Sequence, residues 1–182
     1  MNRRALLGHG LLIPAGLALA GLGGCGFALK RVQPLPFRSM ALQGFAGNSG
    51  MAIELARTLD AAGVAVVETS AQAAALASPN EGQPLAGHLI FEALNDQQEQ
   101  TAASTTAYRQ IRDMGLRTRL RFRVLRADGS VLLGPTDLQL SRILPYNEKD
   151  ALARQDEFES IHRAMQTDLI EQVMRRLATL KP

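Results

Sequence analysis

A run of nine residues that alternates arginine with mostly apolar side chains is the feature that most limits the fold of this 182-residue chain. Successive side chains of a β-strand point to opposite faces, so a period of two predicts a strand with one buried face. The other face carries four arginines, which we call the arginine ladder. A half-buried strand needs a second layer to cover it, which excludes a disordered or fibrous chain. The buried-face positions are Leu116, Thr118, Leu120, Phe122 and Val124, and the arginine ladder comprises Arg117, Arg119, Arg121 and Arg123.

Two amphipathic segments are predicted to form the covering helices. The first follows a turn at 47–50, which supplies its cap, and it ends at Gly63. The second begins near Asn147 and runs to the carboxyl end, which predicts a helix about 45–50 Å long. Their apolar positions recur at helical spacing: Ala52, Leu55, Ala56, Leu59 and Ala62 in the first, and Phe158, Ile161, Met165, Leu169, Val173, Leu177 and Leu180 in the second.

Five further segments are predicted to be strands, at 27–32, 40–45, 64–67, 88–94 and 131–144, and the one at 64–67 is expected to be buried. The polar residues 95–106 follow the fourth of these, and 71–85 are predicted to form a surface loop. A tight turn at 127–130 joins the ladder strand to a return strand that bends near Gly134 and Pro135, because proline cannot donate to a sheet. The expected fold is therefore α+β, a two-layer sandwich with two helices packed on one face of a mixed, mostly antiparallel sheet of about four or more strands.

The first 24 residues have the composition of a targeting segment. Arg3 and Arg4 precede twenty residues that contain no Asp, Glu, Lys or Arg. A basic start followed by an apolar run is typical of a secretory signal. We therefore expect residues 1–24 to be a signal peptide and 25–182 to form one domain, with an uncleaved anchor as the alternative.

The end of that segment, Leu22-Gly23-Gly24-Cys25, resembles the lipobox of bacterial lipoproteins. The resemblance implies that Cys25 receives a diacylglyceryl and an N-acyl lipid and becomes the first residue of the mature chain. Acyl chains of this kind give stable attachment to a membrane. Gly26 stands where this class uses Asp for retention at the inner membrane, so we expect the outer membrane.

The charge balance argues against a nucleic-acid-binding protein, and the few His and Cys residues argue against an enzyme. Two of the 20 Lys and Arg lie in residues 1–24, which hold no acid, so 18 bases face 17 acids from Cys25 onward. This balance and the aliphatic residues between the ladder arginines argue against a nucleic-acid partner. His88 and His162 lie on different predicted elements and no other cysteine remains, so we expect no enzymatic activity, no metal and no cofactor beyond the lipid. A hydrolase with an unrecognised site is the alternative.

The arginine ladder is the candidate binding surface, and two interpretations of it stay open. Between Arg109 and Arg126 there are seven arginines and one acid, Asp113. Guanidinium groups form paired hydrogen bonds to phosphate and carboxylate, which favours docking of a phosphorylated glycolipid or an acidic protein wall. Alternatively, the arginines pair with acids on neighbouring strands, of which Glu92 and Asp137 compensate only part of the charge.

Several motifs in order resemble the LptE family of lipopolysaccharide-assembly lipoproteins. The amino-terminal Cys-Gly-aromatic-x-Leu motif at 25–29 is followed by the helix, a long strand that opens with Tyr108, the Asp128-Gly129 hairpin and the last helix. That helix is introduced by Tyr146-Asn147 and the Ala-Leu-Ala-basic motif that ends at Arg154. The resemblance implies a lipoprotein that plugs and helps assemble the LptD outer-membrane barrel, one to one, and contacts lipopolysaccharide during its delivery to the cell surface.

The resemblance transfers one functional residue to this chain and leaves another without a counterpart. Arg154 occupies the place of a basic residue implicated in lipopolysaccharide binding, although it could instead pair with Asp150 or Glu157. The family's second basic residue lies in the loop before the tyrosine strand, where this chain has no Lys or Arg. Arg109, Arg112 or the arginine ladder are candidates to replace it. An accessory lipoprotein of another envelope lipid-transport system is the rival interpretation.

Overall fold

Seven elements make up the computed structural model, which describes residues 35–68, 72, 87–147 and 151–181, without the side chains of 151–153. The predicted strand at 27–32 lies outside the described residues, as does nearly all of the predicted loop at 71–85. In chain order the elements are β1 (Ser39–Gln43), α1 (Gly50–Ala61), β2 (Ala65–Val67), β3 (His88–Thr105), β4 (Ile111–Arg126), β5 (Val131–Pro145) and α2 (Ala151–Leu177).

The five strands form one mixed sheet in the order β2-β1-β3-β4-β5. The short strand β1 runs parallel to both β2 and β3. The three long strands β3, β4 and β5 are antiparallel, and they account for most of the paired residues. The α+β prediction of two helices on a mixed, mostly antiparallel sheet is confirmed.

The helices cover the apolar face of β4, as the alternation predicted. Leu120, Phe122 and Val124 are fully buried in one core cluster with residues of both helices, such as Leu55 and Leu169. The ring of Phe122 stacks on that of Phe91 in β3, with centroids 4.7 Å apart. Burial of side chains of this size stabilises a fold by about 1.5–3 kcal/mol each.

The first helix begins where the turn residues predicted. Ser49 is extended and its Oγ accepts a hydrogen bond from the amide of Ala52 at 3.1 Å, which stabilises a helix by about 1 kcal/mol. The same hydroxyl donates to the carboxylate of Asp96 in β3 at 2.5 Å. The amino end of α1 is thereby attached to the sheet. Gly63, with φ +81°, follows the end of the helix as expected.

The third strand is longer than predicted. A register shift between Ala93 and Asn95 leaves Leu94 as a bulge, and β3 then continues through polar residues to Thr105. After the bulge, Asp96 pairs with Leu120 and lies on the face that the helices cover. Asn95 pairs with Arg121 and lies on the face of the arginine ladder. Backbone pairing with β4, rather than apolar burial, holds this half of the strand, so its sequence lacks the alternation that marks a half-buried strand.

Three smaller expectations were also wrong. Tyr108 does not open β4 but lies in the turn before it, 89% exposed. Val66 in β2 is exposed, because β2 is an edge strand rather than a buried one. Helix α2 ends at Leu177 and does not run to the carboxyl end, whereas residues 148–150, next to the expected cap Asn147, lie outside the described residues.

We expect Gly44→Ala to destabilise the protein by about 1–3 kcal/mol more than Gly63→Ala does. Both glycines have positive φ, so both substitutions strain the backbone equally. Only at Gly44 would the added Cβ overlap another group, the carbonyl oxygen of Ala93, whereas at Gly63 it meets nothing within 4 Å. Urea unfolding of the two variants measures the difference, and equal losses would contradict the close approach of β1 and β3.

Candidate functional site

The arginine ladder lies on the sheet face that points away from both helices. Its four members alternate along β4 with residues of the buried core. Each is flanked by β3 on one side, and the first three also pair in register with β5. Side chains that are directly opposite on adjacent strands lie about 5 Å apart, which is close enough for ion pairs. The neighbouring strands therefore decide how much positive charge the ladder presents.

The Arg119 guanidinium binds Asp137 of β5 in a forked geometry. Its Nε donates to both carboxylate oxygens, at 3.0 and 3.1 Å, and Nη2 donates to Oδ2. The hydrogen bond from Arg119 lowers the pKa of Asp137, and the positive charges of Arg119 and Arg121 lower it further. In register, however, Asp137 lies opposite Arg121 rather than Arg119. Asp137 therefore accepts hydrogen bonds from Arg119 and interacts with the opposite Arg121 only through its charge.

Two glutamates of β3 pair with the ends of the ladder. Arg123 Nε donates to Glu92 Oε2 at 2.6 Å, and Arg117 Nη1 lies 3.6 Å from Glu99 Oε2. Glu92 and Asp137 were foreseen as partners, but Glu99 was missed because β3 was expected to end before it. Among the described residues, three of the four ladder arginines are therefore ion-paired with acids on neighbouring strands, which was one of the two interpretations of the ladder, and Arg121 is not.

A shallow cleft lies beside Arg117 on the ladder face, with a volume of about 250 Å³. Its floor is Gly115, where the missing side chain leaves room between Thr101 on β3 and Ile143 on β5. Ile143 is 70% exposed. Toward this end, the ladder face thus has a glycine in place of an arginine, and Thr101 and the exposed Ile143 lie on either side of it.

Arg154, the residue implicated by the family resemblance, lies on a different layer from the ladder. It belongs to α2, which packs on the opposite face of the sheet. Its Nη1 donates to Glu157 Oε2 at 2.5 Å, one helical turn away. The structure therefore does not bring Arg154 and the ladder into one site. The exposed pair of Arg154 with Glu157 contributes only about 0.3–0.5 kcal/mol, so a ligand anion can compete for it.

Both histidines are buried beside a hydroxyl group rather than in a cleft. His88 Nδ1 lies 3.0 Å from Ser39 Oγ, and His162 Nδ1 lies 3.3 Å from Thr118 Oγ1. Burial lowers the pKa of both imidazoles. The pair of Ser39 and His88 resembles a nucleophile and its base, but Ser39 is only 6% exposed, which denies a substrate access to its Oγ.

Within the part of the chain that the structure describes, no three His, Cys, Asp or Glu side chains cluster in a way that would hold a metal ion. The helices in that part do not combine the length and the apolar character needed to cross a bilayer.

Comparison with known proteins places the chain in a family. The LptE family model, described as lipopolysaccharide-assembly, matches residues 37–177. The chain belongs to the LptE family. The matched segment begins just before β1 and ends with the last residue of α2, so it includes the whole described sheet and both helices. No curated protein matches the chain.

Solved structures of bacterial lipoproteins share this fold. Lipoprotein B from Nitrosomonas europaea superposes with a TM-score of 0.65 at 24% identity, covering 84% of this chain and 90% of that one. A minor lipoprotein from Acinetobacter baumannii gives 0.59 at 17% identity, covering 82% and 100%. Rare lipoprotein B from Shewanella oneidensis gives 0.59 at 14% identity, covering 78% and 95%. These similarities show that this LptE family member has the same fold as those lipoproteins.

The two buried histidines predict that the protein becomes less stable as the pH falls from about 7.5 to about 5.5. Their pKa values are lowered in the folded state, so the unfolded chain binds more protons as the pH falls through about 6.5. Folding then loses up to about 1.4 kcal/mol per pH unit for each histidine. Thermal unfolding across this range measures the slope, and a double variant His88→Gln and His162→Gln should flatten it. An unchanged slope in that variant would assign the effect to other groups.

Proposed function

We propose that this protein is an outer-membrane lipoprotein that plugs and helps assemble an LptD-like β-barrel and binds lipopolysaccharide during its delivery to the cell surface. The observation that carries the proposal is the match of the LptE family model across the whole described domain. This family is a non-enzymatic, lipopolysaccharide-assembly family, and the burial of Ser39 and His88 agrees with a role in binding rather than catalysis.

The surface of the sandwich suits a plug that sits inside a hydrated barrel. On the ladder face the arginines are matched by Glu92, Glu99 and Asp137, so the face is polar with little net charge. Such a surface is compatible with a polar barrel interior. The second half of β3 is polar and leads to the exposed turn at Tyr108. We propose a one-to-one complex, with the sandwich inside the barrel.

We further propose that the protein is held at the membrane through lipid on Cys25, as the lipobox predicts. The residues proposed to contact lipopolysaccharide are Arg154 on α2 and the arginine ladder on the sheet. Because these lie on opposite layers, they would contact different parts of the ligand or different ligand molecules in turn.

A pull-down of the tagged full-length lipoprotein from its native membranes in mild detergent tests the barrel partner. We expect a large outer-membrane barrel to co-elute at one to one. Co-elution of an inner-membrane lipid transporter, with no barrel, would support the rival function of an accessory lipoprotein and contradict the plug.

Mass spectrometry of the amino-terminal peptide of the same sample should show Cys25 carrying three acyl chains.

Arg154→Gln should weaken binding of lipopolysaccharide by about tenfold, the effect of losing one charge-assisted hydrogen bond of about 1.4 kcal/mol. Arg163→Gln is the matched control. Arg163 lies on the same helix, is exposed and has no ion pair within the described residues. Titration of the full-length proteins in detergent with lipopolysaccharide measures both affinities, and equal losses would show a general charge effect rather than a site at Arg154.

A further inference from the structure

Arg121 is the one ladder arginine without a carboxylate of its own. Arg117, Arg119 and Arg123 each have an ion pair within 4 Å among the described residues, and Arg121 has none. Its register partner Asp137 is bound in a fork by Arg119. The four ladder arginines and the three carboxylates that pair with them therefore leave one positive charge, which is located at the exposed guanidinium of Arg121.

Apart from Asp137 and the neighbouring ladder arginines, the side chains near Arg121 on this face include neutral hydrogen-bonding groups. Asn95 lies directly opposite Arg121 on β3, and Gln97 and Gln139 lie on either side of Arg119. Asn95 donates to Gln97 Oε1 at 3.2 Å, so the two amides are ordered relative to each other. Amides of this kind form hydrogen bonds to sugar hydroxyls, and a free guanidinium fork binds phosphate.

We propose that Arg121, with the amides of Asn95, Gln97 and Gln139, binds a phosphate group on the carbohydrate part of a glycolipid. The assignment of the ligand to a glycolipid rests on the proposed function, whereas the selection of Arg121 among the ladder residues rests on the pairing geometry. Asp137 acts as a competitor for the site, because it neutralises the neighbouring Arg119 and faces Arg121 in register.

The test measures binding of bisphosphorylated lipid A to the full-length protein in detergent micelles. Arg121→Gln should weaken binding by about tenfold. Arg121→Lys keeps the charge but loses the planar fork, so it should also bind more weakly than the wild type. Asp137→Asn should bind more tightly, because both Arg119 and Arg121 are then available. The effect of Arg121→Gln should disappear with lipid A whose phosphates have been removed.

Matched controls separate a local contact from general charge. Arg163→Gln removes one exposed positive charge from α2, in the other layer, and should leave binding within about twofold, as expected for a change outside a site. Equal losses in the Arg121→Gln and Arg163→Gln variants, or an Arg121→Lys variant that binds like the wild type, would overturn the proposal. Binding of inorganic phosphate alone as tightly as lipid A would overturn the assignment to a glycolipid.

The lipid A binding test of Arg121 does not depend on whether the protein has a barrel partner. The Arg121→Gln variant should co-purify the barrel as the wild type does. If the barrel co-elutes but Arg121→Gln binds lipid A normally, this inference fails and the proposed plug stands. If no barrel co-elutes with the wild type but Arg121→Gln weakens lipid A binding, the plug fails and the phosphate site stands.

Discussion

The structure depends on β4, the strand whose two faces have opposite chemistry. It pairs with β3 and β5 along most of its length and presents Leu120, Phe122 and Val124 to the helices. A shift of its register by one residue would turn the arginines into the core and the apolar residues into solvent. Burying four unpaired guanidinium groups costs far more than a domain of this size can offset, so the alternation fixes which face the helices cover.

Because the helices cover the apolar face of β4, the arginine ladder lies on the other face, where its charge depends on the residues of β3 and β5 beside it. Cross-strand pairing places Glu92 and Glu99 beside the ends of the ladder, and Asp137 beside its middle. Exposed ion pairs of this kind contribute little to stability. Their main consequence is to balance three of the four charges of the arginine ladder. Among the described residues, Arg121 in the middle of the strand keeps a positive charge without an ion pair.

The bulge at Leu94 connects the core to the exposed part of the sheet. Before it, β3 contributes Leu89, Phe91 and Ala93 to the core, and after it the strand becomes polar on both faces. The change of face directs Asp96 toward Ser49 at the start of α1. A negative charge at the amino end of a helix is favourable, so the bulge helps to position α1.

The sequence by itself determined the class of fold, the two helices and the side of β4 that is buried, because hydrophobic period and turn residues are local signals. It also carried the motifs that resemble the LptE family, including Arg154. Only the tertiary structure decided the extent of β3, the pairing of Glu99 with Arg117 and the isolation of Arg121. These depend on strand register, which is set by contacts between segments distant in sequence, and a polar strand held by backbone hydrogen bonds leaves no periodic pattern to read.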